Sequence, residues 1–226
     1  MRLLFLIFCC IFSILTPIHA EQYIDEDMLD YTSNVPDKIR TNMSGLALYL
    51  TKPYENDYDK AKAIAYYVAS HIAYDEYLFN NGKKTNLRRY NNQPQKVLQN
   101  RAGVCGDYAK LFAALCQKAG IEAYIIHGNV FETDKNMRII KPRGKETGHA
   151  WNYFKYQGHK VFVDVTFMSQ GKTGYENYIN NFKHRQAINK LKKEDKTYNI
   201  TPFYFNFSED EEARQEHKKH VAKKIL

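Results

Sequence analysis

The chain has 226 residues, a net charge of +8, 44% hydrophobic residues and 14% aromatics. That apolar content is enough to build a packed core, which excludes a disordered chain, and the length fits one domain, at most one and a half. The basic excess comes with no nucleic-acid motif, no phosphate-binding glycine loop and no internal repeat. It reads as a solvated face, with attraction to an anionic cell-envelope surface as the sharper alternative.

Residues 1–20 read as a secretory signal peptide. Arg2 supplies a positive start, Leu3 to Leu15 is almost wholly apolar, Pro17 breaks the run, and Ala20 is a small residue at the cut. The run is short for a membrane span of roughly 20 residues. A secreted or periplasmic protein is therefore expected. Cleavage removes Cys9 and Cys10 and leaves Cys105 and Cys116.

Glu21 to Pro36 reads as a leader with one weak helix. Asp37 to Thr51 carries Ile39, Met43, Leu46, Ala47 and Leu50 at helical spacing, and Pro53 ends it. Asp57 is expected to cap a strong helix from Tyr58 to Ile72, with Ala61, Ile64, Ala65 and Val68 on one stripe. Tyr77 to Asn92 is polar, contains Asn80-Asn81-Gly82, and reads as a surface loop. Pro94 to Leu98 reads as a short helix.

Cys105 to Ala119 reads as the central helix. Ala109, Phe112, Leu115 and Cys116 share its apolar face, and Gly120 stops it. Eleven helical residues span roughly 16 Å, too far for a disulfide, so Cys105 and Cys116 are expected to be free thiols. Cys116 reads as a small core residue.

Strands follow at Ala123–Val130, Ala150–Tyr156 and His159–Phe167, the last two joined by a Gln157-Gly158 turn. Pairing Tyr156 with His159 puts His149 opposite Thr166 and Trp151 opposite Asp164. His149 and Asp164 then share a face as diagonal neighbours, about 7–8 Å apart at Cα, within reach of each other's side chains. A one-residue slip would separate them. The charged segment from Phe131 to Gly148 is long enough to overhang whatever lies at His149. Tyr175 to Lys196 is basic and amphipathic or irregular, Phe203–Phe207 reads as an edge strand, and Ser208-Glu209-Asp210-Glu211 opens a charged final helix.

Cys105 lies at the start of its helix, where the positive dipole end favours a thiolate. A thiol, an imidazole and a carboxylate are the parts of an acyl-transfer site: nucleophile, base, and the group that orients the base. The backbone N–H of Cys105 is a natural oxyanion donor. Tyr74, Gln93 and Gln99 are unranked candidates for a second. Taken singly, each triad residue reads more simply as structural; together, with that register, they point to catalysis. His71 and His127 read as core or interface histidines. His217 and His220 lie one turn apart with no third ligand nearby, so neither a metal nor another cofactor is expected.

Gly103-Val104-Cys105-Gly106-Asp107-Tyr108-Ala109, Gly148-His149-Ala150-Trp151-Asn152 and Val163-Asp164-Val165-Thr166 resemble the three motifs of the transglutaminase-like superfamily. The segment from Leu46 to His71-Ile72-Ala73-Tyr74-Asp75 resembles its kyphoscoliosis-peptidase-like branch. The likeness runs roughly from Asn42 to Met168. It implies an α+β, papain-like fold with a central helix packed on an antiparallel sheet, and it gives Cys105, His149 and Asp164 the nucleophile, base and orienting roles. The implied layout is a signal peptide at 1–20, a leader at 21–41, a catalytic core at 42–168 and a basic helical extension at 169–226. Phe167 and Met168 depart from the pattern, since relatives often carry a Trp after the Thr. A thioester intermediate in this superfamily can pass to water, as in a peptidase or amidase acting on a protein or peptide, or to a lysine amine, as in a crosslinking transglutaminase. Other members only bind. A small exported domain favours hydrolysis of peptide or isopeptide bonds.

Overall fold

The computed structural model describes residues 24–81, 93–130, 147–169, 181–193, 197–201, 204–206 and 221–222. The signal segment, most of the 77–92 and 131–148 loops, His217 and His220 lie outside the described residues.

The amino-terminal half is helical. Helices α1 (Glu26–Ser33), α2 (Asp37–Arg40), α3 (Met43–Thr51) and α4 (Asp57–His71) precede a two-residue strand β1 (Ala73–Tyr74) and helix α5 (Glu76–Asn81). The expected helix over 37–51 is two pieces. The Asn42 side chain accepts the Gly45 N–H and starts α3 afresh, which ends α2 after one turn. The cap of α4 is Asn56 and not Asp57: Asn56 accepts from the Asp59 N–H and donates to the Asp59 carboxylate, both at 2.8 Å. The expected loop at 77–92 begins as α5, whose amino end is held by Asp75 accepting the Leu78 N–H.

Helix α6 (Pro94–Asn100), strand β2 (Ala102–Gly103) and helix α7 (Cys105–Lys118) carry the chain to the centre. Helix α7 packs on a sheet of order β5-β4-β3-β6, antiparallel throughout. Its strands are β3 (Ala123–Val130), β4 (Thr147–Tyr156), β5 (His159–Val163) and β6 (Val221–Ala222). Tyr108, Leu111, Phe112, Leu115 and Cys116 of α7 are buried in one core with Leu46, Leu50, Ile64 and Val68 of the helices and Phe154, Val161 and Val163 of the sheet. Met28, Val35, Ile200 and Phe205, from outside 42–168, belong to the same core. Cys105 and Cys116 are free thiols, and burial pushes the Cys116 thiol pKa well up, keeping it protonated and inert.

The β4–β5 hairpin has the expected register, Tyr156 opposite His159, and turns at Gln157 and Gly158, both with positive φ. The second strand is shorter than the sequence pattern indicates. It stops at Val163, and Val165–Met168 forms a helical turn, α8. Thr166 therefore does not pair with His149. Phe205 bridges Val163 on the outer side of β5, where an edge strand is expected. Within the carboxy-terminal extension, α9 (Asn181–Lys193) is helical, but Val221–Ala222 is a strand beside β3.

Candidate active site

Cys105 is the first helical residue of α7, and four features fix it there. Strand β2 pairs in parallel with β1, Ala102 with Ala73 and Gly103 with Tyr74. The Asp107 carboxylate accepts the Val104 N–H at 3.0 Å, satisfying a donor just before the helix. Gly103 permits that approach, because a Cβ there would lie 2.6 Å from the Asp107 Cβ. Deeper in, the buried Asn152 amide of β4 donates to the Ala109 carbonyl of α7 at 3.0 Å and to the Tyr124 carbonyl at 3.1 Å, tying helix to sheet. The N–H groups of Cys105 and Gly106 have no partner among the described residues, as expected of a helix's first turn.

His149 stands on β4 opposite Gly128. Its Nε2 lies 2.7 Å from Asp164 Oδ2. Asp164, fully buried, is the N-cap of α8 and accepts the Phe167 N–H on Oδ1 at 3.1 Å, so both of its oxygens are held. Its own N–H donates to the Tyr204 carbonyl. The imidazole stacks on Phe167 at 4.6 Å and on Trp151 at 5.8 Å between ring centres. The Cys105 Sγ lies 3.9 Å from the Gly148 carbonyl, next to the histidine. With Nε2 engaged by Asp164, Nδ1 is the ring nitrogen left to serve the thiol.

The electrostatics favour a charged imidazole. Burial alone would lower the His149 pKa, but the Asp164 carboxylate and then the Cys105 sulfur outweigh it and raise it from 6.5 to about 10. A cleft of about 420 Å³ opens over Cys105 and His149, walled by Gly106 and Lys110 of α7 and by His127, Gly128 and Ala150 of the sheet. A Cβ on Gly106 would meet nothing within 4 Å, so the first turn of α7 is open to a ligand. The arrangement can take a proton from the thiol, hold the resulting charge pair, and return the proton to a leaving group.

The structure brings together all three residues put forward from the sequence, Cys105, His149 and Asp164. Of the oxyanion candidates, Tyr74 lies near Cys105: burial first, and then the Cys105 charge, drive its hydroxyl pKa up, so it remains a proton donor. That hydroxyl has no hydrogen-bond partner among the described residues. Gln99 lines a different cleft, and Gln93 is an exposed residue before α6. His127 is exposed at the cleft and is not a core residue, whereas His71 is buried. Sequence reasoning missed Asp107, Asn152 and Phe167. Asp107, three residues after the N-cap Val104, is a capping signal that was there to be read.

The family model of the transglutaminase-like superfamily matches residues 44–166. The chain belongs to the transglutaminase-like superfamily. A mouse protein, kyphoscoliosis peptidase (Mus musculus), is 23% identical over 131 residues, which is 58% of this chain and 19% of that protein. Among solved structures, one described as a TGase is 16% identical, with a TM-score of 0.41 over 74% of this chain and 39% of its own. A protein from Cytophaga hutchinsonii, provisionally described as a cysteine protease, is 23% identical, with a TM-score of 0.40 over 63% of this chain and 43% of its own. The chain thus spans about a fifth of the curated relative and less than half of either structure. The superfamily's α+β architecture, a central helix on an antiparallel sheet, is the one α7 and β3–β6 form.

Proposed function

We propose that this protein is an exported cysteine acyl-transfer enzyme that hydrolyses peptide or isopeptide amide bonds through a thioester on Cys105. The observation that carries the reading is the 2.7 Å contact of His149 with the buried Asp164 beside a part-exposed thiol at the mouth of a cleft. In the first step His149 Nδ1 takes the Cys105 proton and the thiolate attacks the substrate carbonyl. The oxyanion that forms is met by the free Cys105 N–H and by the Tyr74 hydroxyl as second donor. The imidazolium gives its proton to the departing amine, and the thioester forms. Water, deprotonated by His149, then attacks the thioester, and the thiolate leaves. Asp164 holds the imidazole's tautomer and orientation throughout. Export rests on the apolar run Leu3–Leu15 and its flanks.

The test is to offer γ-glutamyl isopeptides and ordinary peptides with and without a primary amine, and to trap the acyl-enzyme by rapid acid quench. Acyl-Cys105 that yields free acid supports the hydrolase. Transfer mainly to the amine, in water, replaces it with a crosslinking transglutaminase. No acyl-enzyme with any acyl donor leaves a binding module.

A further inference from the structure

The turn that presents Asp164 to His149 is held from outside. Helix α8 has four residues, and Val165, Thr166 and Phe167 among them are poor helix formers. A helix this short does not persist on its own. Main-chain contacts from the carboxy-terminal extension hold it at both ends. At the amino end the Asp164 N–H donates to the Tyr204 carbonyl at 2.9 Å, and Val163 bridges Phe205. At the carboxy end the Thr201 N–H donates to the Met168 carbonyl at 2.9 Å, and Ser169 bridges Ile200. Ile200 and Phe205 are buried in the core, and the Phe205 ring meets Tyr58 edge-on at 5.3 Å.

Tyr204 makes a second contact through its side chain. Its ring meets Phe167 at 5.2 Å between centres, with the planes 63° apart. That is the edge-to-face arrangement aromatic pairs favour. Phe167 in turn stacks on His149 at 4.6 Å. The main chain of Tyr204 thus holds the residue that orients the base, and its ring backs the aromatic against which the base lies. Core filling accounts for Ile200 and Phe205. It does not account for half-buried Tyr204, whose ring is set against the base's own stacking partner. These extension residues all fall beyond 44–166, the span of the family match.

We propose that Tyr204 is a positioning residue for His149, acting through Phe167 and Asp164, so that the site is complete only with the carboxy-terminal extension. What His149 does in catalysis rests on the acyl-transfer reading above. The support that Tyr204 gives to the His149–Asp164 pair can be measured without a substrate.

The test uses the full chain with Tyr204→Leu and Tyr204→Ile, which keep apolar bulk and the backbone carbonyl but remove the ring, and with Tyr204→Phe, which keeps the ring. Folding is checked by circular dichroism, so that one folded aliphatic variant suffices. The His149 imidazole is titrated by NMR, its signal assigned by its loss in His149→Ala. In wild type it should titrate well above 6.5. The aliphatic variant should weaken its hold on the proton roughly two- to tenfold, the worth of one aromatic contact. Iodoacetamide labelling of Cys105 at pH 6 should fall in the same direction, and Tyr204→Phe should match wild type in both measurements. A wild-type His149 titration in a folded aliphatic variant overturns the proposal, because a residue that only fills space would leave the proton where it was. Tyr204→Phe as impaired as the aliphatic variant also overturns it, by moving the effect from the ring to the hydroxyl. A wild-type Cys105 that labels no faster than the unfolded chain contradicts the acyl-transfer reading instead, and the His149 titration still decides the role of Tyr204.

Discussion

Cys105 and His149 meet across one cleft but are held in different ways. The thiol is part-exposed; its sulfur lies 3.9 Å from the Gly148 carbonyl and interacts with the His149 ring. Its position comes from the backbone: the β1–β2 pair, the Asp107 cap, the absent side chain of Gly103 and the Asn152 tie. The imidazole is buried and held through its own ring, by a 2.7 Å carboxylate contact and by stacking on Phe167 and Trp151. A nucleophile must be reachable, so its fixing is delegated to the main chain. A base that shuttles protons must keep one orientation, so packing locks it. Substitutions on the two sides should therefore fail differently.

The largest effects test the chemistry. Cys105→Ala should lower hydrolysis by about 10⁴-fold or more with the fold intact, measured by peptide turnover alongside circular dichroism. Asp164→Asn should lower it by roughly 10²–10⁴-fold, because the amide cannot support the imidazolium that the carboxylate stabilises. A loss below about tenfold in Asp164→Asn would detach the carboxylate from the mechanism.

On the nucleophile side the failure should be one of folding. Gly103→Ala drives a methyl into Asp107 and should cost about 1–3 kcal/mol by urea unfolding. Gly106→Ala, at the residue directly after the nucleophile and in open space, should cost no stability. Equal costs would refute the backbone-based account of how Cys105 is placed. On the base side, Phe167→Ala removes the stacked ring and should lower turnover roughly two- to tenfold, the rate equivalent of roughly 0.5–1.5 kcal/mol of aromatic contact.

The last effect is on pH-dependent stability. The folded His149 pKa lies above its unfolded value of 6.5, so its pairing stabilises the fold fully below about pH 6.5 and is lost as pH rises towards about 10. Thermal melts should show wild type losing stability over that interval more steeply than Asp164→Asn. Parallel curves would contradict the pairing.

The nucleophile and base were legible because strong periodicities place them. The apolar stripe of α7 fixes its start at Cys105, and the Gln157-Gly158 turn fixes the hairpin register that carries His149. Asp164 was legible only in part. Val163-Asp164-Val165-Thr166 reads as strand because β-branched residues dominate it, yet Asp164 leaves the sheet and caps a helical turn. Its carboxylate reaches His149 from that cap and not from a strand-to-strand diagonal. Helix α5 was missed because its six residues end in Asn80-Asn81 and read as a turn. Phe167 gave no signal, since nothing in periodicity says which aromatic will stack on a distant imidazole.

The central claim is that His149, held by Asp164, activates Cys105. Its most direct test is the rate of iodoacetamide labelling of Cys105 at pH 6, where an ordinary thiol of pKa about 8.5 is almost wholly protonated, read by intact mass. Wild type should label at least about tenfold faster than the urea-unfolded chain, and His149→Ala should lose that advantage. A folded wild-type Cys105 that labels no faster than the unfolded chain, or an advantage that survives in His149→Ala, would contradict it.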